Sequence, residues 1–264
     1  MTNLTAKEIV DLNSMNPVTK AVGLGTRMDQ IIKGLDGVVV EGTPVNAVNA
    51  TATLTFSGVV THGEKLTIQK LDTAGDVYEF TADADGTVSA EDNIAVDIEA
   101  STTKASVVLT VDTQPTAGDT MTIGTRKFTF VAPADANADG EVSIGTDLAS
   151  AKLAIIAAIN GTDGYNIPHP NVSAAAFNVN NCTITAKIGG TAGNGLASTE
   201  TFTANGNVFA TAKLASGADC SAANAITALV AAITASDTQG VGAADGAGDT
   251  VVLTADVAGE ASNF

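Results

Sequence analysis

The sequence is poor in the residue types on which many binding sites and cross-links depend. Its 264 residues include no Trp, two Tyr, two His and two Cys, and aromatic residues make up 4% of the chain. Two Cys are too few for a disulfide framework, so a small disulfide-stapled fold is excluded. No run of about 18 apolar residues could span a bilayer, and no basic-then-apolar opening resembles a signal peptide. We therefore expect a protein that is soluble when made.

Basic residues are scarce as well. Lys and Arg number 12 against 29 Asp and Glu, which gives a formal net charge of -17. A charge of this sign repels phosphate groups and anionic lipids, so the sequence predicts no nucleic-acid partner and no membrane partner. Hydrophobic residues make up 45% of the chain, which is enough to build a buried core and excludes extensive disorder.

The first 47 residues carry helical patterns and form a predicted N-terminal arm. A short helix is expected over 5–12 and a second over 26–35, where Thr26 is the predicted N-cap and Gly37 follows the end. The second helix has an apolar stripe at helical spacing. The stripe consists of Met28, Ile31, Ile32 and Leu35. So short a helix is not stable alone in water, so its stripe packs either on its own chain or on another subunit.

From residue 51 the pattern changes to short Val, Ile, Thr and Phe runs separated by Gly and acidic residues, which predicts β-strands and turns. One series of such runs is repeated further along the chain. The first series covers 54–56, 63–68 and 78–80, and the second covers 109–111, 118–123 and 128–130. Each series predicts two strands joined by a Gly-acid turn, with a third strand behind them.

The second series continues into an Ala-rich helix over 148–160 and a strand over 182–188, whereas the first series lacks this continuation. A matching helix and strand follow much later, over 225–233 and 253–259. The sequence therefore predicts a β-rich α+β fold. It consists of the arm (1–47) and two related modules, each with antiparallel strands and one Ala-rich helix. Module B (101–216) is inserted into module A (48–100 plus 217–264).

Two features leave alternatives open. The chain could instead be a linear series of three pieces, although half a module would leave apolar faces uncovered. Module B also has apolar residues after its last matched strand, namely Phe202, Val208 and Phe209, and these have no counterpart in module A. Module A therefore either lacks a closing strand or borrows one from a neighbour.

The clearest candidate for a metal-binding site is an acidic segment at 135–141. Its potential ligands for Ca²⁺ are Asp135, Asn137, Asp139 and Glu141. An EF-hand loop starting at Asp135 would need a bidentate Glu at its twelfth position, and Thr146 stands there instead. We interpret the segment as an Asx-rich turn and keep a weak Ca²⁺ site as the alternative.

The remaining candidates predict structural roles. His62 and His169 are expected in surface loops, since neither has neighbouring residues at zinc-ligand spacing. Cys182 is expected to be a buried small side chain, while Cys220 precedes a helix whose N-terminus could lower its thiol pKa. The Gly-rich segment 189–195 predicts a structural turn, because no P-loop Lys follows it. With no catalytic motif, the sequence predicts neither an enzyme nor a cofactor.

At five places the sequence resembles β-rich modules of tailed-bacteriophage virion proteins. These are "TLTFSG" at 53–58, "GEKLTI" at 63–68, "YEF" at 78–80, "ALVAAI" at 228–233 and "GDTVVLTADVAGEASN" at 248–263. Such modules occur in capsid decoration (cement) proteins, head fibres and tail components. The resemblance implies a non-enzymatic structural protein on the outer capsid surface of the virion, made in the cytoplasm of the bacterial host. The arm resembles an attachment segment.

The resemblance also implies partners, namely the major capsid protein and further copies of the chain. A homotrimer is expected, since head decoration proteins often occupy three-fold positions and a closed ring leaves no open edge. Two other interpretations stay open. One is a tail-tube or tail-fibre component, and the other is a carbohydrate-binding surface module, for which few aromatic residues are available.

Overall fold

The structure is a computed structural model, and it describes residues 49–69, 74–236 and 240–258. These residues belong to one compact unit that covers 48–264. The predicted arm, with the stripe of Met28, Ile31, Ile32 and Leu35, lies outside the described residues. Within the described ranges, no helix has the length and apolar character needed to cross a membrane.

The described residues form 14 strands in four sheets and two α-helices, so the predicted β-rich α+β class is correct. The strands of the first part of the chain are β1 (Asn49–Thr55), β2 (Lys65–Ile68), β3 (Asp76–Thr81), β4 (Ile94–Asp97), β5 (Ser106–Thr110), β6 (Thr120–Ile123), β7 (Arg126–Val131) and β8 (Glu141–Ser143). Helix α1 (Leu148–Asn160) is followed by β9 (Val172–Ala174), β10 (Asn181–Ala186), β11 (Ser198–Glu200) and β12 (Val208–Phe209). Helix α2 (Ala222–Ser236) precedes β13 (Val241–Asp245) and β14 (Thr250–Ala258).

The four sheets have the orders β1-β14-β13, β2-β3-β4, β12-β5-β10-β9 and β11-β6-β7-β8. Most neighbouring strands are antiparallel, as predicted, but β3 pairs with β4 and β7 with β8 in parallel. The prediction of antiparallel strands alone was therefore incomplete. A parallel partner needs a crossover, and the segments between these strands carry the acidic turns that separate the repeated motifs.

The strand pairings of the two repeated series share one register. Leu54 lies opposite Val251 in β1 and β14, and Leu109 lies opposite Cys182 in β5 and β10. Each pair occupies the positions that the sequence repeat matches. The first hairpins agree as well, since Gly63 and Gly118 both have positive φ (+85° and +98°). The repeat in the sequence is thus a repeat of backbone pairing.

Buried apolar side chains fall into two clusters. One draws its residues from 60–98 and 220–253, and the other from 105–214. In the first cluster Leu229 and Ile233 of α2 lie with Tyr78 and Phe80 of β3. The second cluster combines residues of α1 with those of β7 in the same way. Its members include Ile155, Ile159, Phe128 and Phe130.

The chain passes between the two clusters twice, and the two crossing segments lie side by side. Thr103 and Ala218 exchange both of their backbone hydrogen bonds, with N–O distances of 2.9 and 3.0 Å. Gly190 lies against this junction with a φ of +103° and donates its N–H to the carbonyl of Thr103 at 3.0 Å. A Cβ at Gly190 would stand 2.5 Å from Oδ1 of Asp219, so only glycine fits there.

Helix α1 begins and ends at the predicted residues because its caps are encoded locally. Asp147 accepts a hydrogen bond from the N–H of Ser150 at 2.8 Å, and the Ser150 hydroxyl accepts one from the N–H of Asp147 at 3.0 Å. Gly161 ends the helix in the left-handed conformation with a φ of +67°. Helix α2 is longer than the predicted 225–233 and covers Ala222–Ser236.

We expect Ile155→Ala to lower the free energy of unfolding by about 2–5 kcal/mol, because it leaves a cavity beneath a fully buried position of α1. Leu153→Ala is the matched control, since Leu153 lies two residues away on the same helix with 68% of its surface exposed. It should change the stability by less than about 0.5 kcal/mol. Urea unfolding followed by circular dichroism measures both. Equal losses in the two variants would contradict the packing described for α1.

Candidate functional site

An apolar groove lies between helix α1 and the loop before β10. Its volume is about 540 Å³. We call it the α1 patch. It is lined by Leu148, Ala149, Lys152, Leu153, Ile156, Ala176, Phe177 and Val179. Leu153 and Val179 are 68% and 81% exposed, which is unusual for large apolar side chains that lie together on a surface.

The α1 patch is held in shape by Lys152. Its ammonium group donates hydrogen bonds to the carbonyl of Val179 and to Oδ1 of Asn180, each at 2.8 Å. The same group lies 5.6 Å from the ring centroid of Phe177. These contacts fix Val179 in a left-handed conformation, with a φ of +54° that is strained for a β-branched residue. The patch is therefore a preformed apolar surface, suited to contact with another protein.

The acidic segment 135–141 uses its carboxylates to hold its own turn. Oδ1 of Asp139 accepts hydrogen bonds from the Arg126 guanidinium and from the N–H of Ile167. Oε2 of Glu141 accepts from the N–H groups of Asn137 and Ala138, both at 3.0 Å. In the described part of the chain, no group of three or more His, Cys, Asp or Glu residues is placed to hold a metal ion. The proposed ligands Asp135, Asn137, Asp139 and Glu141 form no such group.

His169 does not lie in a surface loop, so that prediction was wrong. The ring is 1% exposed, and Nε2 lies 3.0 Å from the carbonyl of Ile123. Nδ1 accepts hydrogen bonds from the N–H groups of Asn171 and Val172. These partners suit a neutral ring that carries its proton on Nε2. Burial lowers the pKa of His169, and the charges of Arg126 and Lys187 lower it further, against the opposing effect of the Ile123 carbonyl.

Both cysteines are free and buried. Cys182 is a fully buried side chain in β10, as predicted, and burial raises its pKa to about 11. The possibility that the helix N-terminus lowers the pKa of Cys220 is contradicted, because burial raises it. Neither thiol has the lowered pKa that marks a reactive cysteine.

Glu79 is a buried acid that the sequence analysis did not single out. Its Oε2 accepts hydrogen bonds from the N–H and hydroxyl of Ser89, both at 2.9 Å, and from Asn93 at 2.6 Å. Nζ of Lys65 lies 3.7 Å away. Burial raises the pKa of Glu79, but these hydrogen bonds and the lysine charge outweigh burial and lower it to about 2. The carboxylate thus ties the 85–93 loop to β3, and no local pattern marks it.

The Gly-rich segment 189–195 has a structural role. Thr191–Gly195 forms a short 3-10 helix, and Thr191 bonds through its N–H and hydroxyl to Asp219, at 2.7 and 2.8 Å. The prediction of a structural turn at 189–195 is confirmed. A carbohydrate-binding module would need exposed aromatic side chains, and Tyr78 is only 1% exposed. Tyr78 therefore cannot serve as an aromatic platform for a sugar.

Comparison with known proteins identifies no relative. No protein-family model, no curated protein and no solved structure matches the chain.

The stability of the protein should fall as the pH drops below about 6.5. The unfolded His169 takes up a proton near that pH, whereas the folded ring resists protonation because its pKa is lowered. The resulting loss is at most about 1.4 kcal/mol per pH unit. Urea unfolding at pH 7 and pH 5 measures it. His169→Gln should remove this loss and His62→Gln should keep it. A loss that persists in His169→Gln would show that another group causes it.

Proposed function

We propose that the chain is a structural protein of a tailed-bacteriophage virion that decorates and stabilises the capsid surface, as a cement or head-fibre protein. It acts without catalysis. The α1 patch is the observation that supports this best, because a preformed apolar surface on a compact β-rich protein suits lasting contact with another protein. The resemblance of 53–58, 63–68, 78–80, 228–233 and 248–263 to phage modules supplies the context.

The physical requirements of such a role agree with the composition and the fold. Small sheets joined by tight turns give a stiff body, and two separate apolar clusters stabilise it. An excess of acidic residues keeps finished particles apart through electrostatic repulsion. The protein is made in the cytoplasm of the bacterial host and ends on the outer surface of the capsid.

The partners in this proposal are the major capsid protein and two further copies of the chain. A homotrimer raises the net charge to about three times -17, and that repulsion must be screened or kept away from the three-fold axis. The arm is nearly balanced in charge, with four basic and five acidic residues in 1–47. Association through its stripe of Met28, Ile31, Ile32 and Leu35 therefore costs little electrostatic energy.

The proposal includes the nested arrangement, in which module B is inserted into module A. Its support is the separation of the two apolar clusters, since the cluster of module A combines residues from both sides of module B in the sequence. Thr103 and Ala218 lie near the two ends of the inserted segment and bond to each other, so these ends are close together. A host fold tolerates an insertion when its ends are close.

An isolated 101–216 fragment should fold, because all residues of its apolar cluster come from within that range. A 48–100 fragment should not, because α2, β13 and β14 complete its cluster from the other end of the chain. Thermal unfolding followed by circular dichroism measures both fragments. A cooperative transition in the 48–100 fragment would contradict the nested arrangement.

Leu153→Asp should weaken binding to capsids at least about tenfold, because an unpaired charge would be buried where the α1 patch meets its partner. Co-sedimentation with shells of the major capsid protein from the same genome measures the apparent affinity. Ala231→Asp is the matched control, since it adds the same charge at an exposed position of α2. It should bind normally.

Two outcomes would overturn the capsid proposal. The first is that neither wild type nor Ala231→Asp sediments with the shells. Equal binding by wild type and Leu153→Asp would exclude only the α1 patch as the contact. The second comes from negative-stain images of virions that carry a labelled copy of the chain. Label along the tail would favour a tail-tube or tail-fibre component.

A further inference from the structure

The chain contains three Asn-Gly pairs, and all of them lie in the described residues. They are Asn160–Gly161, Asn194–Gly195 and Asn205–Gly206. In such a pair the backbone nitrogen of glycine can attack the side-chain amide of asparagine, because glycine has no side chain to hinder the approach. Hydrogen bonds that hold either group in place oppose this reaction, since they must open before the two groups can meet.

Asn160 is the last residue of helix α1, and its side-chain amide is fully engaged. Its Nδ2 donates to the carbonyl of Ala174, and its Oδ1 accepts from the N–H of Ala174, both at 2.9 Å. The N–H of Gly161 donates to the carbonyl of Ala157 in the helix cap. Both groups that would react are therefore held, and the native fold protects this pair.

Asn194 is held in a similar way. Its Oδ1 accepts a hydrogen bond from the N–H of Gly217 at 2.7 Å, and its Nδ2 donates to the carbonyl of Gly217 at 3.1 Å. These two bonds tie the short 3-10 helix at 191–195 to the segment that precedes the crossing at Ala218. The amide of Asn194 is therefore protected as long as this part of the chain stays folded.

Asn205 has neither form of protection. It is exposed in the turn between β11 and β12, and its amide makes no hydrogen bond to any described residue. The N–H of Gly206 likewise has no acceptor within the described part of the chain. One backbone bond closes the turn, from the N–H of Asn207 to the carbonyl of Ala204 at 3.0 Å. Asn205 and Gly206 are thus the two central residues of a β-turn.

The fold also requires glycine at position 206. A Cβ at this position would overlap both carboxylate oxygens of Asp112. Asp112 is itself fixed, because its N–H and that of Thr113 donate to Oδ1 of Asn207, at 3.0 and 3.1 Å. The residue that hinders the reaction least therefore follows Asn205 for a structural reason.

We propose that Asn205 is a site of spontaneous deamidation in the folded protein, and that it reacts in preference to Asn160 and Asn194. The nitrogen of Gly206 loses its proton and forms a bond to Cγ of Asn205. The Cγ–Nδ2 bond breaks and ammonia leaves with that proton, which gives a cyclic imide. Water then opens the imide at either carbonyl, so the products are aspartate and isoaspartate. The reaction needs only this chain and water, so it does not depend on the proposed function.

Deamidation changes the turn in two ways. Either product adds a carboxylate to a turn that Asp112 already contacts at Gly206, and like charges repel each other. Isoaspartate also lengthens the backbone by one methylene group, which disturbs the bond between Asn207 and Ala204. Strand β12 begins directly after this turn, and its Phe209 belongs to the second apolar cluster. The reaction should therefore loosen β12.

Peptide mapping by mass spectrometry tests the proposal on the full-length protein after incubation at mildly alkaline pH. Asn205 should deamidate at least about tenfold faster than Asn160 and Asn194, because each of these must first break two hydrogen bonds. The product is recognised by the mass gained when an NH group is replaced by oxygen, and fragmentation assigns its position. Incubation in urea is the control, since unfolding frees all three amides and their rates should become similar.

Two results would overturn the proposal. One is deamidation of Asn160 or Asn194 in the folded protein at the rate of Asn205. The other is an intact Asn205 in the folded protein under conditions in which the three pairs react in urea.

Asn205→Gln is the matched variant, because glutamine keeps the amide but would have to form a larger ring, which closes slowly. After the same incubation, urea unfolding should occur at a lower urea concentration in the wild type than before, and Asn205→Gln should be unchanged. Fresh Asn205→Asp carries the new charge without the longer backbone, so it separates the two effects. Equal stability of fresh and deamidated wild type would contradict the loosening of β12.

Discussion

The hydrogen bonds between Thr103 and Ala218 are the constraint on which the rest of the structure depends. They join the two segments that pass between the apolar clusters, so the chain leaves and re-enters the first cluster at nearly the same place. Because these segments are close together, α2, β13 and β14 can pack in the first cluster with strands from the early part of the chain. The residues of the second cluster lie between these two parts in the sequence. The tight fit also explains the glycine at 190, where Asp219 leaves no room for a side chain.

The repeated strand series surround the two apolar clusters in different ways. Around the second cluster β11 and β12 cover the outer edges of β6 and β5, and Leu109, Val111 and Met121 are fully buried. Around the first cluster Leu54, Phe56 and Leu66 are half-buried at the equivalent positions. The Glu79 network has no counterpart in the second cluster, because Thr129 occupies the matching position of β7. Edge strands left in this state invite pairing, and a natural fold must control which strand they accept.

The sequence predicted the features that local patterns encode. Alternating apolar residues and Gly-acid turns defined the repeat, and the capping residues around Asp147 and Gly161 fixed the bounds of α1. Predictions from the sequence were wrong or missing where contacts between distant parts of the chain determine the structure. His169 lies between two prolines, as in an exposed loop, yet its ring is buried and bonds to the carbonyl of Ile123. The α1 patch was also missed, because Leu153 and Val179 meet only after the chain has folded.

The acidic residues behave as local structural elements as well as surface charges. Glu64, Asp119 and Glu141 each accept hydrogen bonds from backbone N–H groups a few residues away, which orders the turn around them. A lysine or arginine at these positions could not accept such bonds, whereas the neutral oxygens of Asn166 and Ser150 accept them elsewhere in the chain. Part of the net charge of -17 thus belongs to side chains that also order turns. The lining of the α1 patch contains no acidic residue, so electrostatic repulsion between acids is weakest at a surface of this kind.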